Sequence, residues 1–146
     1  MKIQQISVFL ENKPGRTLRV CEVLAGAGVD ILTLTLADTK DFGVFHLIVR
    51  DPAKTKQVLA DAGYAVNTTD VIAVEVEDRP GGLASILAVL AEHAVNIAYM
   101  YAFTHGADRK AVIIIVFDDP GAALAVLQTA GARTLTLAEL GGRAGT

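Results

Sequence analysis

All four prolines of this 146-residue chain fall into two matched pairs. Pro14 and Pro80 lie 66 positions apart, and Pro52 and Pro120 lie 68 apart. Around the first pair, Glu11-Asn12-Lys13-Pro14-Gly15 matches Glu77-Asp78-Arg79-Pro80-Gly81. The match continues through Val23-Leu24-Ala25 with Val89-Leu90-Ala91, and through Val29-Asp30-Ile31 with Val95-Asn96-Ile97. Over residues 11–36 against 77–102, 8 of 26 positions are identical, which chance in an Ala/Val/Leu-rich chain does not explain together with the proline pairing. Around the second pair, Asp51-Pro52 matches Asp119-Pro120 and Ala62-Gly63 matches Ala130-Gly131; the change of offset places a two-residue insertion near Gly106. A duplicated sequence folds as two copies of one supersecondary unit. The expected division is 1–68 and 69–140, joined near 67–70 without a Pro, Gly or Ser linker, with a flexible tail over 141–146.

Each unit reads as β-α-β-β-α-β. Ile6, Val8 and Leu10 alternate as a strand, and so do Ile72, Val74 and Val76. Helical spacing follows each Pro-Gly: Leu83, Ile86, Leu87, Leu90 and Ala91 form one apolar stripe, with Leu18, Cys21 and Leu24 as its counterpart. Leu32, Leu34 and Leu36 alternate with Thr33 and Thr35 in a second strand, and third strands are expected over 44–50 and 111–118. Pro52 and Pro120 suit a first helical turn, where a missing N–H costs nothing. Last strands are expected over 64–68 and 134–138. The fold class is therefore α+β: two ferredoxin-like units, each an antiparallel sheet with helices on one face. Ile113 to Val116 are apolar on both faces, and Tyr99, Tyr101 and Phe103 replace Thr33, Thr35 and Ala37. Such a sheet needs covering on both sides, so the units are expected to pack together, or two chains to pair as a homodimer.

Composition excludes several classes. With 52% hydrophobic and 20% charged residues the chain is not disordered. No apolar run reaches the roughly 18 residues of a membrane span. Met1-Lys2 leads into Gln4, Gln5 and Glu11 rather than an apolar segment, so no leader is expected. Net charge is −3, distributed as +1 over residues 1–68 and −4 over 69–146, which is no footprint of a phosphate-backbone binder. The single cysteine, Cys21, excludes an internal disulfide, and a cytoplasmic location is expected.

The loops between first strand and first helix carry the chemistry. Asn12-Lys13-Pro14-Gly15 and Asp78-Arg79-Pro80-Gly81-Gly82 place a short polar side chain and a glycine at a helix N-terminus. Free backbone N–H groups and the helix dipole there favour an anion such as a carboxylate. Asp30 and Asn96 precede the next strand, so each unit offers one carboxylate and one amide as acceptors for an ammonium. The plain alternative is that Asn12 and Asp78 are N-caps and that Asp30 and Asn96 are turn residues.

These two stretches, 11–31 and 77–97, resemble the opening of ACT domains, small βαββαβ modules that bind amino acids and regulate enzymes of amino-acid metabolism. The resemblance covers nearly the whole chain twice and is greatest to free-standing tandem ACT proteins without a catalytic domain. It implies an amino acid held between ACT units, touching the Pro-Gly loop of one and the Asp/Asn before the next strand. The candidate binding residues are then Asn12, Pro14, Gly15, Arg16, Asp30 and Ile31 in the first unit. In the second they are Asp78, Pro80, Gly81, Gly82, Leu83, Asn96, Ile97 and Tyr99. Where serine-binding members often place a histidine, this chain has Leu10 and Val76. The second site is expected to be the better occupied, because Gly82 opens room over the backbone and Tyr99 offers an apolar wall with a polar tip. The implied partners are a small-molecule amino acid, a second copy of the chain, and an enzyme of amino-acid metabolism.

Other readings fare less well. His46, His93 and His105 are scattered, Cys21 sits in a core stripe, and no spacing suggests a metal, so no cofactor and no catalysis are expected. RNA-recognition modules share the element order but stack bases on aromatics in strands one and three, and the strand over 111–115 has none. An acylphosphatase-type enzyme needs an anion-gripping arginine in the first loop, for which Arg16 is the candidate. A structural interaction subunit that keeps the fold but has lost the ligand is the remaining alternative.

Overall fold

The computed structural model describes residues 2–38, 41–105 and 110–144. The chain divides into two compact units, one of Gln4–Thr69 and the other of Asp70–Thr146 together with Met1–Ile3. The side chain of His105 and the insertion near Gly106 lie outside the described residues.

The first unit comprises β1 (Ile3–Glu11), α1 (Arg16–Gly26), β2 (Ile31–Asp38), β3 (Phe42–Val49) and α2 (Pro52–Asp61), completed by the start of β4 (Val66–Glu77). Its strand order is β2-β3-β1-β4. β3 pairs antiparallel with β1 (Ile6↔Leu47, Val8↔Phe45) and with β2 (Leu34↔Leu47, Leu36↔Phe45). Alternation sends Ile6, Val8, Leu10, Phe45, Leu47 and Val49 to the face covered by the helices, where they meet Val20 and Leu24 of α1 and Leu59 of α2. A leucine buried as fully as Leu24 or Leu59 contributes roughly 1.5–3 kcal/mol. The α1 stripe differs from the sequence expectation: Leu18 is exposed, and Val20 takes the core position four residues before Leu24.

The second unit repeats this plan with the rest of β4, α3 (Gly82–Glu92), β5 (Ile97–His105), β6 (Lys110–Phe117), α4 (Pro120–Thr129) and β7 (Arg133–Leu135). The order β5-β6-β4-β7 is antiparallel throughout. Ile72, Val74, Val76, Ile113 and Ile115 face Leu90 of α3 and Leu127 of α4, with Leu83, Ile86 and Leu87 packed at the margin. The matched Asp-Pro pairs resolve into one device. Asp51 and Asp119 cap α2 and α4, accepting from Lys54 N and Ala122 N at 3.1 Å, with proline in the first turn.

Two boundaries depart from expectation. The anticipated strand over 64–68 and the one starting near Ile72 are a single twelve-residue strand, β4. The expected strand over 134–138 is β7, which stops at Leu135, and a helix α5 (Leu137–Ala144) follows where a tail was expected from 141. A capping box stops the strand: Glu139 N donates to Thr136 Oγ1 at 3.2 Å, and Thr136 N donates to Glu139 Oε1 at 3.3 Å.

The faces away from the helices are also largely buried. Val112, Ile114 and Val116 are 5% exposed or less. In the first unit that face carries a buried polar cluster beside Ile48: His46 Nδ1 lies 2.8 Å from Ser7 Oγ and 3.2 Å from Gln5 Nε2, all three residues buried. No helix among the described residues is long and apolar enough to cross a membrane.

Candidate functional site

Both Pro-Gly loops fold alike. Lys13 N donates to Glu11 O (2.9 Å) and Arg16 N to Lys13 O (3.3 Å); Arg79 N donates to Glu77 O (3.0 Å) and Gly82 N to Arg79 O (3.0 Å). Gly15 and Gly81 occupy the helix N-cap in left-handed conformation, φ 82° and 88°, and neither helix has a side-chain cap. Asn12 and Asp78 are therefore not the caps of the plain alternative. A glycine tolerates this φ, and beyond the Arg16 and Gly82 amides, which the loops themselves engage, no side chain caps the first turn.

Gly82 is also a point of close backbone packing. It is buried, and a Cβ built on it would lie 2.0 Å from the Glu77 carbonyl oxygen. The glycine lets the start of α3 press against the end of β4, so the vacated space is filled by backbone. Arg16 is likewise engaged by its own loop, 3.7 Å from Glu11 Oε2, with Lys13 Nζ at 3.0 Å. Lys13 first, then Arg16, hold the Glu11 carboxyl below its usual range.

The predicted acceptors are placed elsewhere. Glu11 pairs with Phe42 at the loop end of the first sheet, whereas Ile31 pairs with Val49 at the other end. Asp30 therefore stands a strand length, roughly 23 Å at 3.3 Å per residue, from its own unit's loop. Asn96 stands likewise, since Ile97 pairs with Phe117 while Glu77 pairs with Lys110. Each is held locally: Arg50 Nε donates to Asp30 Oδ2 at 2.6 Å, and Asn96 Nδ2 to Asp118 Oδ2 at 2.5 Å. Tyr99 lies at the Asn96 end, sharing with Tyr101 the face opposite the helices; burial first, and Tyr99 second, push the Tyr101 phenol up. Within a unit the structure thus gathers Asn12, Pro14, Gly15 and Arg16, or Asp78, Pro80, Gly81, Gly82 and Leu83, but not Asp30, Ile31, Asn96, Ile97 or Tyr99 with them.

Two cavities flank the loops. One of about 50 Å³ lies beside Asn12 and Lys13, walled by Thr17, Leu36 and Gly43. One of about 300 Å³ lies between the end of β4, the first turn of α3 and the turn before β7, with Arg79, Ser85 and Arg133 at its wall. Sequence reading missed Ser85 and Arg133, whose only signal was their departure from Arg19 and Ala65 at matched positions. Among the described residues no group of histidine, cysteine and carboxylate side chains is arranged to hold a metal.

Duplicated βαββαβ units with twin Pro-Gly helix starts define a paired ACT-type module. The chain belongs to the ACT domain pair family, which matches residues 1–134. It is similar to protein BT0572 from Bacteroides thetaiotaomicron, at 36% identity, 96% coverage of both chains and a TM-score of 0.90. It shares its fold with the regulatory subunit of aspartate kinase from Thermus thermophilus (17% identity, 87% of this chain and 91% of that one, TM-score 0.59). The regulatory subunit from Thermus flavus is similar at 20% identity, 87% and 91% coverage and a TM-score of 0.56. No curated protein matches the chain.

Proposed function

We propose that this protein is an amino-acid-binding regulatory sensor, acting in the cytoplasm as a homodimer on an enzyme of amino-acid metabolism. The observation that carries the reading is the pair of helix starts. In an ACT domain pair, each unit presents a left-handed glycine N-cap with no side chain capping the first turn. Those N–H groups and the helix dipole suit a carboxylate. Asp30, Ile31, Asn96, Ile97 and Tyr99 join such a site when a second unit brings its strand start to the loop. The rival reading, an interaction subunit that no longer binds a ligand, draws on the engagement of Asp30 by Arg50 and of Asn96 by Asp118. Against it, both loops keep a backbone geometry that only glycine adopts readily.

A thermal-shift screen of the twenty amino acids separates the two. A ligand at 100 times its dissociation constant stabilises by about 2.7 kcal/mol, a rise of several degrees for a chain of this size. An unmoved melting temperature with every amino acid at millimolar concentration leaves the interaction subunit. The homodimer is tested by sedimentation. Its motive is the exposed apolar row of Leu34 and Leu36 on edge strand β2, since the faces of β6 are already buried. A monomer at high micromolar concentration removes it.

A further inference from the structure

The two helix pairs differ in one consistent way. Arg16, Arg19 and Glu22 of α1 are matched by Gly82, Ser85 and Ala88 of α3. Lys54, Lys56 and Asp61 of α2 are matched by Ala122, Leu124 and Thr129 of α4. Every charged residue of the first pair is thus uncharged in the second, which carries charge only at Glu92, the last residue of α3. These are not core positions: Ser85, Ala88, Ala122 and Thr129 are exposed, as are Arg19, Glu22, Lys54 and Asp61. A helix facing water ordinarily keeps charged or polar residues on that side. The first unit keeps them; the second, on the same plan, exposes Ala84, Ala88, Ala122 and Ala125. The Ser85 hydroxyl is already bonded to Gly81 O at 2.9 Å, so covering it leaves no orphaned donor.

Charge stands at the two ends of α3, with opposite signs. Arg79 is exposed and leans over the helix start, donating to Pro80 O at 3.3 Å, with Nη1 4.0 Å from where a Cβ on Gly81 would lie. Glu92 is exposed at the other end, on the side of the helix shared by Ser85 and Ala88. Whatever covers this face must be uncharged at its middle, because a charge brought there would be buried without a partner. It must also offer a carboxylate to Arg79 and a cation to Glu92. A second copy meets both conditions when its α3 runs antiparallel to the first, and fails them when the helices run parallel and Arg79 meets Arg79.

We propose that the α3–α4 face is a two-fold interface with a second copy of this chain, helices antiparallel, each Arg79 against the partner's Glu92. Ala88, one residue past the middle of α3, then lies close to its counterpart. α3 and α4 are 11 and 10 residues long, so the face measures about 16 by 20 Å at 1.5 Å of rise per residue and about 10 Å per helix. That is small beside a standard interface, so the pairing is weak and forms at micromolar concentrations and above. The proposal rests on the homodimer reading only in that copies associate. The face it uses is separate from edge strand β2 and leaves the amino-acid site where it was placed.

Sedimentation of the full chain up to high micromolar concentration tests it, with circular dichroism to show that each variant is folded. Ala88→Glu gives α3 the residue that the first unit carries, exposed, at the matched position. Arg79→Glu and Glu92→Arg reverse one charge each, and each reversal acts twice in a two-fold pair. All three single variants are expected to weaken association by about ten-fold or more. The double variant, Arg79→Glu with Glu92→Arg, regains the pairing in the opposite sense and is expected to return to within about three-fold of the unaltered chain. Weakening without that rescue overturns the antiparallel arrangement. Association that all the folded variants leave within about two-fold overturns this face, while the homodimer through β2 stands. A chain that stays monomeric throughout overturns both.

Discussion

Arg50 Nε donates to Asp30 Oδ2 at 2.6 Å, and at the equivalent place in the second unit Asn96 Nδ2 donates to Asp118 Oδ2 at 2.5 Å. One is an ion pair and the other an amide–carboxylate bond, yet both tie the residue before one strand to the residue after its neighbour. Backbone bonds from Arg50 N to Asp30 O and from Asp118 N to Asn96 O close the same corner. Both side-chain pairs are exposed and water-screened, so each contributes about 0–1 kcal/mol. Asp30→Ala and Asn96→Ala are each expected to lower unfolding free energy by no more than about 1 kcal/mol in urea titration. A larger loss would mean that the side-chain tie, not the backbone bond, holds the strand end.

Gly15 and Gly82 separate two costs that a glycine can hide. A Cβ at Gly15 meets nothing within 4 Å, but φ is 82°; Gly82 has no positive φ, but its Cβ would strike the Glu77 carbonyl. Gly15→Ala therefore carries a conformational cost of about 1 kcal/mol. Gly82→Ala forces backbone apart and is expected to cost about 2–3 kcal/mol. Equilibrium unfolding of the two variants should place Gly82→Ala clearly below Gly15→Ala; the reverse order would show that the α3 start yields easily.

Burial holds the His46 imidazole below its ordinary value. Gln5 Nε2 can only donate, so Nδ1 accepts and the ring is neutral in this arrangement. A histidine whose folded pKa is depressed binds its proton more readily when unfolded. Its contribution to stability is present above about pH 6.5 and is lost as pH falls from there towards the folded value. Unfolding free energy should thus decline as pH falls below about 6.5, and His46→Asn should flatten that slope. Glu11, also held low, acts in the range below its ordinary value of 4.5. An unchanged slope in His46→Asn would assign the decline to other groups.

The repeat made the architecture legible because proline pairs and strand alternation are local signals; Pro52, Pro120 and the Ile72–Val74–Val76 face fall where those signals put them. The loops were legible for the same reason. What did not show was distance. Asp30 follows the Pro-Gly loop by a single helix in sequence, but that helix returns the chain to the far end of the sheet, so the two belong to opposite ends of one unit. At Gly82 the close approach of the Glu77 carbonyl could not be read, because only the fold brings the two together.

The helix α5 gives the last test. Thr136-Leu137-Ala138-Glu139 has the Ser/Thr-x-x-Glu spacing of a capping box, and the strand-like alternation of Thr134, Leu135 and Thr136 concealed it. Eight residues are too few for a helix to stand by itself in water, and Gly141 and Gly142 each cost about 1 kcal/mol relative to alanine. Two features offset this. Leu140 is fully buried, and Glu139 accepts from Thr136 N, Thr136 Oγ1 and Arg133 Nη2. Thr136→Ala removes the cap and should destabilise the helix by about 0.5–2 kcal/mol. The Leu140 amide, bonded to Thr136 O at 3.0 Å, reports the loss directly. Its hydrogen exchange should quicken several-fold to about thirty-fold in Thr136→Ala, while amides of β4 and β6 keep their rates. Equal quickening across those strands would instead make α5 part of the global unfolding unit, with Leu140 as its anchor.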